Sequence, residues 1–407
     1  MKQKTITFRC AHALKHLGVV DKSDLRVYPP AELMNSMPLP ELALQMGATP
    51  QEWHDAAWQL RHSFCTAEQL GRVLQLTEGE RHALALAGKR LAVRITPHFL
   101  SLVDRADASD PLRLQVIPRP EELQRAPEEL DDPCGERKDE KAPGLVHRYP
   151  DRVLLLCTDR CSTYCRYCTR SRLVSGAGEK LHPDFDAALD YLRRHAEVRD
   201  VLLSGGDPLL LPDARLDALL SALRAIPHIQ LLRVGTRTPI MLPQRITPEL
   251  CRMLRRHAPL FLSIHCNHPR ELCPAAEGAL SLLADHGIPL GNQTVLLRGV
   301  NDTPAVQTQL AHRLLQCRVR PYYLYQCDLT PGTHHFRTRI EEGLSIISAM
   351  RGFTSGYAVP QYVVDAPGGG GKVPLNPDYL ERLEPGRALL RNFRGSTYTY
   401  PTPQSNP

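Results

Sequence analysis

Beyond residue 152 the chain alternates between two periods. Short apolar runs recur about every thirty residues, at 153–157, 201–203, 231–234, 260–264, 293–297, 321–325 and 362–364. Between them, segments 183–194, 212–225, 248–257, 276–286, 305–315 and 340–351 carry apolar residues at i, i+3 and i+4. That is the spacing of a helix with one buried face. Repeated strand–helix units of this length predict an α/β protein with a parallel sheet and helices outside it. The pattern alone does not separate a barrel from an open sheet.

The earlier part of the chain follows other rules. Residues 46–104 predict a helical region. Thr49 precedes Pro50, with Glu52 three positions on, a helix-start signal. Trp53, Ala56, Ala57 and Leu60 then recur at helical spacing. A second helix is expected from Thr77 through Leu91, and a short helical piece after Thr96. Residues 1–45, broken by Pro29, Pro30, Pro38 and Pro40, are expected to be a disordered extension. Residues 105–146, rich in Asp, Glu and Pro, are expected to be a wrapping linker. Residues 147–372 hold the strand–helix units, and 373–407 form an extended tail.

Composition narrows the class. The net charge of +6 over 407 residues is modest, and no basic block argues for nucleic acid. Twelve cysteines scattered through so long a chain are not a disulfide scaffold. The N-terminus has no apolar core of signal-peptide length, and there is no run that would span a membrane. A reducing cytoplasm is the expected setting.

The candidate chemistry centres on Cys161-Ser-Thr-Tyr-Cys165-Arg-Tyr-Cys168, which follows the first apolar run. Three thiolates hold three irons of a [4Fe–4S] cube and leave the fourth open to an outside ligand. A structural zinc would want a fourth ligand, usually from a second Cys-x2-Cys half. None is nearby.

Two flanking motifs add to this one. His147-Arg-Tyr-Pro-Asp-Arg152 precedes the cysteines, and Asp365-Ala-Pro-Gly-Gly-Gly-Gly-Lys372 lies far downstream. Together, from about Trp53 to about Tyr400, they resemble the lysine 2,3-aminomutase family of the radical S-adenosylmethionine (SAM) superfamily. The resemblance implies a partial (β/α)6 radical SAM barrel with an N-terminal helical region and a C-terminal tail that helps build oligomers. It implies three cofactors: a [4Fe–4S] cluster on Cys161, Cys165 and Cys168, SAM on the open iron, and pyridoxal 5′-phosphate (PLP) held as an imine by Lys372. SAM cleavage would give a 5′-deoxyadenosyl radical that starts migration of an amino group from C2 to C3.

Site residues carry over one by one. Ser204, Gly205, Gly206 and Asp207 match the SAM-binding turn, although a Gly-Gly there also suits a plain strand-to-helix turn. Gln293 matches a position near SAM. Arg148, Tyr149 and Arg152 match the PLP side, and four consecutive glycines suit backbone wrapped around a phosphate. Arg170 can clamp an α-carboxylate bidentately. Asp328 and Asp365, at neighbouring strand ends, match the pair that holds the ε-ammonium of lysine. Thr303 follows Asp302, and no cysteine follows Cys327, so the structural zinc of some members is not expected. Tyr167 departs from the family, where His precedes the last cysteine.

The expected activity is lysine 2,3-aminomutation, with lysine as substrate and flavodoxin or ferredoxin as electron donor. Arginine 2,3-aminomutation and modification of a protein lysine, as on elongation factor P, are the rival activities. A zinc-holding binding protein is the non-enzymatic rival.

Overall fold

The computed structural model describes residues 38–87, 92–174 and 179–403. Its centre is one ten-stranded sheet in the order β1 to β10. These are β1 (Glu140–Ala142), β2 (Leu145–Tyr149), β3 (Arg152–Thr158), β4 (Asp200–Gly205), β5 (Leu231–Thr236), β6 (Leu260–Ile264), β7 (Leu290–Leu296), β8 (Val319–Gln326), β9 (Gln361–Ala366) and β10 (Gly371–Leu375). Strands β3 to β9 are all parallel, and β1–β2 and β10 add antiparallel ribbons at the two edges. The sheet does not close. All seven apolar runs became parallel strands, so the six expected units are followed by one more, β9, which brings Asp365 with it.

Helices fill the six crossovers: Phe185–Arg194, Asp213–Arg224, Pro248–Arg256, Pro274–Asp285, Pro304–Gln316 and Ile340–Met350. Their starts are written in the sequence. Asp184, Thr247 and Thr303 each accept a backbone N–H of the first turn, and Pro opens four of the elements' first positions or caps. Apolar residues on one face of the first five pack with the strands into the main core, while Ile346, Ile347 and Met350 of the sixth join a second cluster with Leu296, Leu324 and Tyr362.

The N-terminal expectations hold in part. Thr49 and Glu52 form a capping box, and Trp53 and Trp58 are buried against each other. The second helix spans Glu78–Ala87, while 88–91 lie outside the described residues. Residues 1–37 also lie outside them, but within the expected extension Glu41–Gln45 is a helix that buries Leu42 and Ala43.

The 105–146 segment needs the largest correction. It contains two short helices, a 3-10 turn and an edge strand of the main sheet. Its acidic residues are not a solvated run. Glu122 and Glu136 are buried on arginines of the cysteine loop, and Glu129 caps the Gly332–His334 turn. The tail is corrected too: Leu380–Glu384, Arg387–Arg391 and Thr397–Pro401 form a three-stranded antiparallel sheet.

Candidate active site

The cysteine loop leaves the C-terminal end of β3, where a barrel's chemistry belongs. Neighbouring segments pin it. Tyr164 N–H donates to the Arg94 carbonyl and Arg166 N–H to that of Gln115. The Arg166 guanidinium grips Glu122 at 2.6 and 3.0 Å in a pair almost wholly sealed from solvent. Cys161, Cys165 and Cys168 lie near enough for their charges to act on one another. Burial pushes the Cys161 and Cys168 thiols up, Cys168 to about 12, and the neighbouring sulfurs add to it. Such thiols ionise when a metal replaces the proton. Among the described residues the three sulfurs do not all lie within 4.8 Å of one another, the closeness a single ion demands.

Ser204 is half-buried one residue before the end of β4, and its Oγ accepts from Arg170 Nη1 at 3.3 Å. Gly205 and Gly206 have a structural reason to be glycine. A Cβ on Gly205 would stand 2.3 Å from the Thr158 carbonyl oxygen, and one on Gly206 would stand 2.2 Å from that of Arg160. The backbone they admit is the protein's own, the start of the cysteine loop. Asp207 is likewise turned inward. It is buried, and its carboxylate accepts from Thr236 Oγ1, Arg237 N–H and Leu209 N–H. Its carboxylate thus braces the turn. Gln293 occupies a half-buried position on β7.

The other end of the cleft is built on β8, β9 and β10. Asp328 follows β8. Asp365, on β9, is paired across the ribbon with Lys372 on β10, and Lys372 Nζ donates to its two oxygens at 3.0 and 3.2 Å. Cys134 joins them: its Sγ and one oxygen of each carboxylate lie within 4.8 Å of one another. Burial, and then the Asp365 charge, push Asp328 up to about 6, although Thr169 Oγ1 donates to it. Two carboxylates crowded in this way call for a cation.

Between these ends lies Arg170. Its Nε and Nη2 bind Glu136 at 2.8 and 2.7 Å, which leaves the Nη1 edge toward Ser204. Around the glycine run, Gly368, Gly369 and Gly371 take positive φ. Lys138 Nζ reaches the Gly368 carbonyl, the Arg148 guanidinium stands beside Gly369, and Tyr149 OH accepts from Lys372 N–H at 2.9 Å. Two cations beside such a backbone fit a phosphate. Arg152 stacks on the Tyr149 ring at 3.9 Å and pairs with Asp151.

Sequence reasoning missed Cys134, Glu136 and Lys138. All three lie in the stretch taken for a linker, and contacts to partners 34 to 230 residues away leave no periodic trace. Thr169 sat in view, between Cys168 and Arg170.

Comparison with known proteins decides the family. A model of the radical SAM superfamily matches residues 155–309, and one described as lysine-2,3-aminomutase matches 347–406. An L-lysine 2,3-aminomutase of Fusobacterium nucleatum is 49% identical over 358 residues, 88% of this chain and 84% of that one. The chain belongs to the lysine 2,3-aminomutase family. An L-lysine 2,3-aminomutase of Clostridium subterminale is 50% identical, covering 86% of this chain and 85% of its own. A glutamate 2,3-aminomutase of Clostridioides difficile is 40% identical, covering 86% and 83%. Membership brings a [4Fe–4S] cluster, SAM and PLP, and the residues described above suit all three. Among the described residues no helix is long and apolar enough to cross a membrane.

Proposed function

We propose that the protein interconverts L-lysine and β-lysine (3,6-diaminohexanoate). The observation that carries this is the convergence of Asp328 and Asp365 at one end of a cleft that has Arg170 near its middle. A substrate with a carboxylate at one end and an ammonium at the other fits that charge order. A second carboxylate in place of the ammonium, as glutamate carries, would meet two anions.

Each residue then has a task. Cys161, Cys165 and Cys168 hold the cluster. Ser204, Gly205 and Gly206 shape the wall beside it where the methionyl part of SAM lies, with Asp207 bracing that wall and Gln293 facing SAM from β7. Lys372 is the amine for PLP, while Arg148, Tyr149 and Arg152 line the PLP side. Arg170 orients the substrate carboxylate, and Asp328 and Asp365 hold the distal ammonium. Once bound, SAM supplies hydrogen abstraction and PLP the π-system across which nitrogen moves. Holding the substrate at both ends would fix its orientation in the cleft and exclude water. Lys372 Nζ already fills the cation place at Asp365. With that amine held by PLP, Asp365 would be left for the substrate's ammonium.

The setting proposed is the cytoplasm, with flavodoxin or ferredoxin as electron donor and a dimer or tetramer as the assembly. An anaerobic assay with SAM, PLP and dithionite tests the activity. Lysine is expected to yield β-lysine as the main product, with arginine turned over less well and glutamate at least about a hundredfold more slowly, the scale of a lost charge-assisted bond. Preferential formation of β-arginine would overturn the reading.

A further inference from the structure

Arg237 is a buried cation beside the cysteine loop. It follows β5 directly. Its main-chain N–H donates to Asp207 Oδ2 at 2.8 Å, so the Ser-Gly-Gly-Asp turn fixes where its side chain begins. The guanidinium is 9% exposed. Nη2 donates to Gln115 Oε1 at 2.6 Å and to Glu271 Oε2 at 3.0 Å. Nη1 donates to Cys165 Sγ at 2.7 Å. Nε is buried without a partner. Glu271 cannot swing closer, because its other oxygen accepts the N–H groups of Asn267 and His268 and the amide of Gln115. His265 brings no second charge: burial, and then Arg237, push its imidazole down to about 3.

A guanidinium keeps its proton, and burying one is costly unless its donors are used. Here one edge is used by protein acceptors, while the other meets a thiol of the cysteine loop. Hydrogen bonds to sulfur and nearby charge are the means by which a protein sets an iron–sulfur potential. A cluster gains one negative charge on reduction, so a fixed cation beside it favours the reduced form.

We propose that Arg237 raises the reduction potential of the cluster held by Cys161, Cys165 and Cys168, acting through its hydrogen bond to Cys165 Sγ. The proposal rests on the cluster assignment made above. One electron arrives from a low-potential one-electron donor and is taken up by the iron core. No bond breaks and no proton moves, because the guanidinium stays charged. Arg237 is therefore a positioning residue for charge and does not itself react.

The test is an anaerobic redox titration of reconstituted protein, followed by the electron paramagnetic resonance of the reduced cluster. At the poise that half-reduces wild type, Arg237→Gln is expected to lower the reduced-to-oxidised ratio about tenfold, which is 59 mV for a one-electron couple. Arg237→Lys keeps a charge and recovers more than half of that shift. Glu271→Gln removes the counter-anion and moves the ratio several-fold the other way, which a purely structural role would not do. Iron and sulfide content separates the two claims. A wild type that holds no iron overturns the cluster assignment, and the inference with it. Full iron with equal midpoints in wild type and Arg237→Gln overturns the inference alone. If Arg237→Gln fails to hold iron, the other two variants decide, and unchanged midpoints in both overturn it.

Discussion

The chain has two runs of glycine in its active-site cleft, and they are glycine for opposite reasons. At Gly205 and Gly206 an added Cβ would collide with main-chain atoms of Thr158 and Arg160 at 2.3 and 2.2 Å. At Gly368 it would meet nothing within 4 Å, and at Gly369 the tightest contact is the flexible end of Lys138. The first pair lets two strand ends cross, so that the cysteine loop can start where it does. The second run takes positive φ at three of its four positions and is open at its start, while a Cβ on Gly370 would stand 2.7 Å from that of Ala366 and one on Gly371 3.0 Å from the Tyr149 hydroxyl. The first pair is required by the crossing of main chains, whereas at Gly368 no neighbour requires glycine. Sequence alone reads both as "backbone approaches something", and only the surroundings say what.

The most severe test of this contrast is Gly206→Ala. The obstacle is backbone on both sides, so no rotamer change relieves it. A loss on the order of 4 kcal/mol or more is expected, a large part of a typical domain's stability. The variant should give little soluble protein and no brown colour after anaerobic reconstitution with iron and sulfide. A variant with wild-type iron content would break the distinction. Lys372→Ala comes next and acts on the other side of it. The fold and iron content should be unchanged, while the visible absorbance of bound PLP disappears and turnover falls by about a thousandfold or more, as for loss of a covalent group.

Which parts were legible follows the same division. Periodicity gave the strands and crossover helices because each buries one face, and burial has a period. The cysteine loop and the glycine–lysine motif were legible because their chemistry is local. Glu136 and Cys134 were not. They reach Arg170 and the carboxylate pair by tertiary folding of a segment whose charged, Pro-rich composition looks solvent-exposed. The hydrogen bonds that Asp207 accepts from Thr236 and Arg237 were not legible, because they join residues about thirty positions apart.

Asp328 lets the open half of the cleft be probed by pH. Its carboxyl titrates at about 6, above the ordinary carboxylate value, because burial and then Asp365 disfavour its charge. The native protein therefore binds this proton more tightly than the unfolded chain does. Stability from this group is present at low pH and is lost as pH rises through about 6. Lysine binding runs the other way, since its ammonium needs the charged form. The kcat/KM for lysine should climb up to tenfold per pH unit below about 6 and level off above it. Asp328→Asn still accepts from Thr169. It should raise KM for lysine roughly ten- to a hundredfold, as for one charge-assisted bond, and remove that limb of the profile. A variant that keeps the limb would assign it to another group.

The mildest change is the most discriminating. Gly368 sits at φ +67°, with open space where a Cβ would go. Gly368→Ala therefore meets only the left-handed backbone penalty, about 1 kcal/mol. Thermal unfolding of the PLP-free protein should shift by only a few degrees, and the cluster should be untouched. If the open loop is shaped to hold a phosphate, the added methyl intrudes there. PLP affinity should then fall several-fold, visible in equilibrium titration of the absorbance of bound PLP. The same substitution at Gly206 destroys the protein without any ligand present. If instead PLP affinity stays at the wild-type value while unfolding shifts as far as in Gly206→Ala, the two runs are alike and the contrast between them is lost.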